Sequence, residues 1–182
     1  MISLVILIIL AWNFYIGYSR GIVLQAYYFL AAIVSLIIAS FNYQALAEKI
    51  TLWVPYSSPT EGMTVSFFTN INIFNLSDVY YAGVAFLGIF VVSYLLFRLL
   101  GVLIHFGPVN YFEETKFNVI SGILSVLISL IFFSMIFTVL ATIPMTIIQE
   151  TLSSSWLVRF LVNHFPILST ILEKLWVTDI LK

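Results

Sequence analysis

The chain contains two imidazoles, His105 and His164, and neither has an acidic residue one helical turn away. Metal-assisted hydrolysis needs two or three His, Cys or carboxylate ligands at fixed spacing, and this pair supplies no such set. One of the many serines could pair with a histidine, but no nucleophile–base motif surrounds either position. Cysteine is absent, which excludes disulfides, thiolate metal sites and thiol nucleophiles. The glycines match neither a phosphate-cradling P-loop nor a dinucleotide fingerprint. The expectation is a protein that is not an enzyme, with no catalytic, metal-binding or cofactor-binding residues, whose histidines are exposed or interfacial.

Transport chemistry has a different signature. Ion and proton pathways place ionisable groups inside the membrane despite their cost. The apolar segments hold no carboxylate and no lysine. Arg98 is the nearest exception, and a guanidinium within a turn of a helix end reaches the headgroups along its own apolar stem. Asn13, Gln25 and the serines at 121, 125 and 129 could line a polar path. Interhelical hydrogen bonding is their simpler role.

The elements that carry these residues follow from where charge is missing. No Asp, Glu, Lys or Arg occurs in residues 1–19, 21–47, 79–97 or 117–149. A helix needs ~20 apolar residues to cross a ~30 Å hydrocarbon core, and each window supplies about that many. The composition agrees: 62% of residues are hydrophobic and 8% are charged, against ~25% charged in soluble domains. The predicted fold is all-α, an integral membrane bundle of about four transmembrane helices over residues 1–150, followed by an amphipathic tail over 151–182. The spans are expected at about 2–18, 22–41, 80–100 and 118–143. The first apolar run lacks a preceding positive region and a small-residue cleavage site, so it reads as an uncleaved helix. With a net charge of −1 and no basic stripe, a nucleic-acid partner is not expected.

Small residues mark two helix faces. Ala31, Ser35 and Ala39 recur every fourth residue in the second span, and Ser121, Ser125 and Ser129 do so in the fourth, with Gly122 alongside. Such stripes allow close backbone approach in lipid, where dispersion contact replaces hydrophobic drive. They are expected to pack against neighbouring helices, plausibly each other. Gly17 and Gly21 bracket Arg20 in a tight reversal between the first two spans, and their G-x-x-x-G spacing serves the turn rather than dimerisation.

The segment 42–78 is polar and contains Pro55, Pro59, Glu61 and Asp78. Within it Phe67, Phe68, Ile71 and Phe74 share one side of a helical projection, so the stretch either caps the bundle at the headgroup level or is an irregular loop. Gly107, Pro108, Glu113, Glu114 and Lys116 fall between the third and fourth spans. In the tail, Leu157, Phe160, Leu161, Ile167, Leu168, Ile171, Leu172 and Leu175 recur at helical intervals. Pro166 divides that tail into two short helices. Neither is long enough to span, so both are expected to lie on the membrane surface with Trp156 and Trp176 as interfacial anchors. Arg20, Arg98 and Lys116 flank the short connections on one side; Lys49, Arg159, Lys174 and Lys182 belong to the other. Weighting the charges nearest the membrane predicts cytoplasmic short connections, with both termini and the long loop outside.

At the first turn the chain resembles the colicin V production protein family, CvpA-like bacterial membrane proteins. Members run from an apolar helix into a G-x-x-R-G turn, here Gly17, Arg20 and Gly21, and directly into a second span. Their fourth span starts with an Asn followed four residues later by Gly, here Asn118 and Gly122. A mixed apolar and polar tail with an internal Pro, here Pro166, is also similar. Two positions depart: Ser3 occupies the region where many members carry an Asp, and Val126 stands where a second Gly is common. The resemblance implies a multi-pass protein of the bacterial cytoplasmic (inner) membrane, associated with production or export of a peptide toxin and with envelope maintenance. It implies that Gly17 and Gly21 form the turn, that Arg20 anchors it, and that Asn118 and Gly122 start and pack the fourth span. The implied partners are the lipid bilayer, export or envelope proteins, and a second copy of the chain.

Overall fold

The computed structural model describes residues 2–57, 63, 65–106 and 114–181; the side chains of 104–106 lie outside this set, as do Pro59, Glu61, Gly107, Pro108, Glu113 and Lys182. Among the described residues there is no strand. Four helices are long and apolar enough to span a bilayer: α1 (Ile2–Arg20), α2 (Ile22–Ile50), α3 (Leu76–Leu100) and α4 (Thr115–Ala141). The protein is an all-α, multi-pass membrane bundle. Helix α2 runs on past the expected end at Phe41 because Asn42–Ile50 keeps a buried face, with Tyr43 and Ala47 in the core. Three short helices follow α4: α5 (Thr146–Ser153), α6 (Trp156–Asn163) and α7 (Leu168–Glu173), the last continuing into a π-helical turn over Lys174–Thr178.

The bundle is built from two helix pairs, α1 with α4 and α2 with α3, joined chiefly where α2 meets α4. Consecutive α1 and α2 make little direct contact. The two small-residue stripes make their tight contacts with different neighbours. Ala31, Ala32 and Ala39 of α2 sit in one cluster with Ala82, Ala85, Phe86 and Phe90 of α3 and with Ile128, Met135 and Val139 of α4. The α4 stripe instead faces α1. A methyl group added at Gly17 would lie 2.8 Å from the Ser121 carbonyl oxygen and would overlap Ser125 Cβ, and one at Gly122 would strike the Phe14 ring at 2.6 Å. A stripe of small residues dictates that something approaches closely; the complementary glycine on α1 decides what.

The tail departs from the expected surface placement. Leu152, Leu157, Val158, Leu161, Val162, Leu168, Leu172 and Trp176 are all buried against the bundle. Trp176 is 0% exposed, in edge contact with Phe86 and against Gly83, so it is a core residue and not an interfacial anchor. Trp156, 59% exposed, remains on the outside. Pro166 does divide α6 from α7, and Ile167 takes a left-handed φ of 68° at that corner. Apolar residues at helical spacing fit lipid or a protein groove equally well, and here the bundle offers the groove.

Hydrogen bonds seal this end. Ser3 Oγ and Ser155 Oγ lie 2.7 Å apart, joining the start of α1 to the α5–α6 corner. The Tyr43 hydroxyl donates to the Leu175 carbonyl and the Ser134 hydroxyl to the Leu161 carbonyl. Buried Gln149 accepts from the Ser66 N–H at 2.8 Å, and its amide donates to the carbonyls of Ala141 and Ile143 at 2.9 Å each. It satisfies the carbonyls exposed where Pro144 ends the α4 ladder. In the long connection Tyr56 donates to the Thr142 carbonyl, while Phe67 and Phe68 pack on the apolar cluster of α4 and α6. This stretch caps the bundle.

Candidate functional site: a two-arginine cavity

Gly21 has φ 81° and ψ 159°, a backbone region essentially restricted to glycine. That one residue lets α1 end and α2 begin without an intervening loop. The Ser121 hydroxyl then clasps the turn from α4, lying against the Gly17 carbonyl and 3.0 Å from the Gly21 carbonyl. Arg20 is thereby held between two fixed carbonyls. Gly17 lies inside α1 and is buried; it is the packing position for α4, and the reversal itself belongs to Gly21.

A parallel arrangement fixes Arg98. Tyr27 on α2 donates to the Phe97 carbonyl at 2.8 Å, and Gly101 gives the Tyr28 ring room, since a methyl there would sit 2.6 Å from Tyr28 Cε1. The two guanidinium groups converge on that same ring. Arg20 lies 5.8 Å and Arg98 5.5 Å from the Tyr28 centroid, within cation–π range. Tyr94 is buried one turn before Arg98, and its hydroxyl faces that guanidinium.

Arg20, Tyr94 and Arg98 line a cavity of about 320 Å³. Helix α1 supplies Asn13 and Arg20, α2 supplies Gln25, α3 supplies Tyr94 and Arg98, and α4 supplies Ser125 and Ser129. Asn13 donates to the Ile9 carbonyl and Ser129 to the Ser125 carbonyl, so both are satisfied within their own helices. Gln25 is not: it is 2% exposed, and its Oε1 has no hydrogen-bond partner among the described residues. Among those residues the ion pair formed is Lys116–Glu114, at 2.7 Å on the surface, and neither arginine has a carboxylate partner.

The residues singled out in the sequence thus divide. Gly17, Arg20, Gly21, Ser121, Gly122 and Ser125 come together at the α1–α4 contact and the turn; Ser129 is one turn further along the cavity wall. Ala31, Ser35 and Ala39 are buried elsewhere on α2, with the Ser35 hydroxyl turned back to the Ala31 carbonyl. Asn118 is half-buried in the first turn of α4 and away from the cavity lining. His164 is exposed, and His105 lies outside the described side chains. Sequence reading missed the convergence of Arg98 with Arg20. Each stood beside a tyrosine-bearing helix end, but only the fold shows that one ring, Tyr28, serves both.

The fold and cavity define a small polytopic membrane protein with four spans, a docked tail and a cationic pocket near one end. The chain belongs to the colicin V production protein family, whose match covers residues 2–166. It is 27% identical over 180 residues to YshB, an uncharacterized transmembrane protein of Bacillus subtilis (strain 168), with 97% of each chain covered. No solved structure matches the chain.

Proposed function

We propose that the protein works in the cytoplasmic membrane of a bacterium as a non-enzymatic component supporting production or export of a colicin V-type peptide toxin and maintenance of the envelope. Family membership is the observation that carries this reading. Its short connections, bearing Arg20, Arg98 and Lys116, face the cytoplasm, and both termini face outward, following the bias of basic residues near span ends. Export or envelope proteins meet the outer face of the tail, where Trp156, Phe160, Ile167 and Ile171 stay exposed after docking. A second copy of the chain is a further candidate for that face. Deleting the gene in a toxin-producing host and measuring secreted toxin tests the role: secretion falls and is restored by the intact gene. Unchanged secretion together with an unchanged response to membrane-perturbing agents refutes it.

A transporter is the second reading, favoured by the cavity that gathers Asn13, Gln25, Ser125 and Ser129. Liposomes containing the purified protein would then pass a solute selectively, and a bulky residue at Ser125 would stop it. Absence of flux across a panel of anionic solutes returns the role to that of a non-enzymatic component of toxin production or export.

A further inference from the structure

We propose that the two-arginine cavity binds a phosphate-bearing ligand that also carries hydroxyl donors, the chemistry of an anionic glycerol headgroup. Two guanidinium groups facing one ring, with no carboxylate between them among the described residues, repel each other, Arg20 from an exposed position and Arg98 from a half-buried one. An anion between them removes that repulsion, and arginine forks match phosphate oxygens two at a time. A carboxylate carries the same single charge as a phosphodiester, but it brings no donor and would leave Gln25 Oε1 unsatisfied. Buried acceptors are rarely left empty, and a rotation of the Gln25 side chain, which lines the cavity, would bring its oxygen to a glycerol hydroxyl. At about 320 Å³ the cavity holds a phosphate with its glycerol, well beyond the size of a single small ion.

The position of the cavity suits a lipid. Helices α1 and α3 flank it without pairing to each other, since α1 pairs with α4 and α3 with α2. Leu95, on its α3 side, is 52% exposed and leads outward to Leu96 and Leu99. Both arginines sit at or near the ends of spanning helices, at headgroup depth. Acyl chains would lie along those leucines while the headgroup entered sideways. A soluble glycerol phosphate entering from the aqueous side has the same headgroup chemistry.

The inference uses the membrane setting but not the toxin role, so failure of the secretion test leaves it standing and its own failure leaves that role standing. The full-length protein in neutral detergent is titrated with phosphatidylglycerol, phosphatidylcholine or free glycerol 3-phosphate, and bound ligand is read by native mass spectrometry alongside thermal unfolding. Phosphatidylglycerol is retained at least tenfold more than phosphatidylcholine and raises the unfolding temperature. Arg20→Gln with Arg98→Gln loses that preference, whereas Lys116→Gln, a cation at the same end but outside the cavity, keeps it. Gln25→Glu supplies an internal counter-charge, so it abolishes retention while unfolding no earlier than the native chain, a result misfolding cannot mimic. Protection by glycerol 3-phosphate without retention of phosphatidylglycerol supports the site with a soluble source. Equal retention of the two lipids with no effect of glycerol 3-phosphate overturns the proposal, as does equal loss in Lys116→Gln.

Discussion

The two ends of this bundle handle their polar groups in opposite ways. At the tail end buried groups are matched to the backbone: Tyr43 donates to Leu175, Ser134 to Leu161, Tyr56 to Thr142, and Gln149 donates to Ala141 and Ile143 while accepting from the Ser66 N–H. Trp176 Nε1 is the exception there. At the arginine end the fold assembles two cations and a buried amide and leaves them facing a cavity. Satisfied networks rigidify a fold, whereas unpaired groups held in place by rigid neighbours are how binding sites are kept ready. The tail end is built for stability and the arginine end for a ligand.

Substitutions can break that contrast. The largest effect is expected for Trp176→Ala, which empties a buried site between α3 and the tail. It should cost about 3–5 kcal/mol, measured as reversible unfolding in detergent. Trp176→Phe keeps most of the packing and discards an unpaired N–H, so it should recover most of the loss. Gly17→Leu comes next. Its side chain must enter Ser121 and Ser125, and overpacking of this kind costs ~3 kcal/mol. Unlike the tryptophan change it should also scatter the arginine cavity, separating the two regions by their consequences. Ser125→Leu, on the facing helix, should act in the same direction.

Gln149→Leu should follow at about 1–3 kcal/mol, the cost of stranding the Ser66 N–H and two carbonyls. Tyr56 offers a test by pH. Burial, then its neighbours Tyr80 and Tyr81, push its hydroxyl up to about 12 from the ordinary tyrosine value. The unfolded chain ionises near the ordinary value and the folded one later. The stabilising contribution is therefore complete at neutral pH and is lost as pH climbs from about 10 toward 12. Tyr56→Phe should remove that slope while sacrificing one hydrogen bond of ~1 kcal/mol. Smallest of all is Arg98→Gln. Without ligand it should move stability by less than about 1 kcal/mol, since relief of repulsion offsets the lost cation–π contact. A large loss there would mean that both ends serve stability and that the contrast is false.

Much of the fold was legible because a bilayer imposes a coarse rule on sequence. Long charge-free windows bounded by Arg20, Glu48, Asp78, Arg98, Lys116 and Glu150 give spans at the places the helices occupy. The turn was legible too, since Gly21 sits between two helices with nowhere else to bend. What could not be read was partnership. The serines on α4 and alanines on α2 advertise close approach without naming a neighbour, and Gly17, whose spacing suited a hinge, proved to be the neighbour α4 uses. The tail misled for a related reason. Leu157, Leu161, Leu168 and Leu172 form an apolar stripe that periodicity assigns equally to a membrane surface or to a bundle. Tertiary contact with Phe86 and Gly83 settled Trp176 in the interior. The cavity was only partly visible: Asn13, Gln25 and the serines were weighed as a polar path but read as interhelical hydrogen-bonding groups, and Arg20 and Arg98 are far apart in sequence and meet only through Tyr28.

The central claim is a membrane bundle sealed at one end by its own tail. Because the native chain has no cysteine, a single engineered pair reports on it directly. The hydroxyls of Ser3 and Ser155 lie 2.7 Å apart, so a Ser3→Cys/Ser155→Cys variant in native membranes should form an intramolecular disulfide under mild oxidation and resist maleimide labelling until reduced. Two freely labelled thiols that never cross-link would place the tail on the membrane surface instead, and would contradict the account.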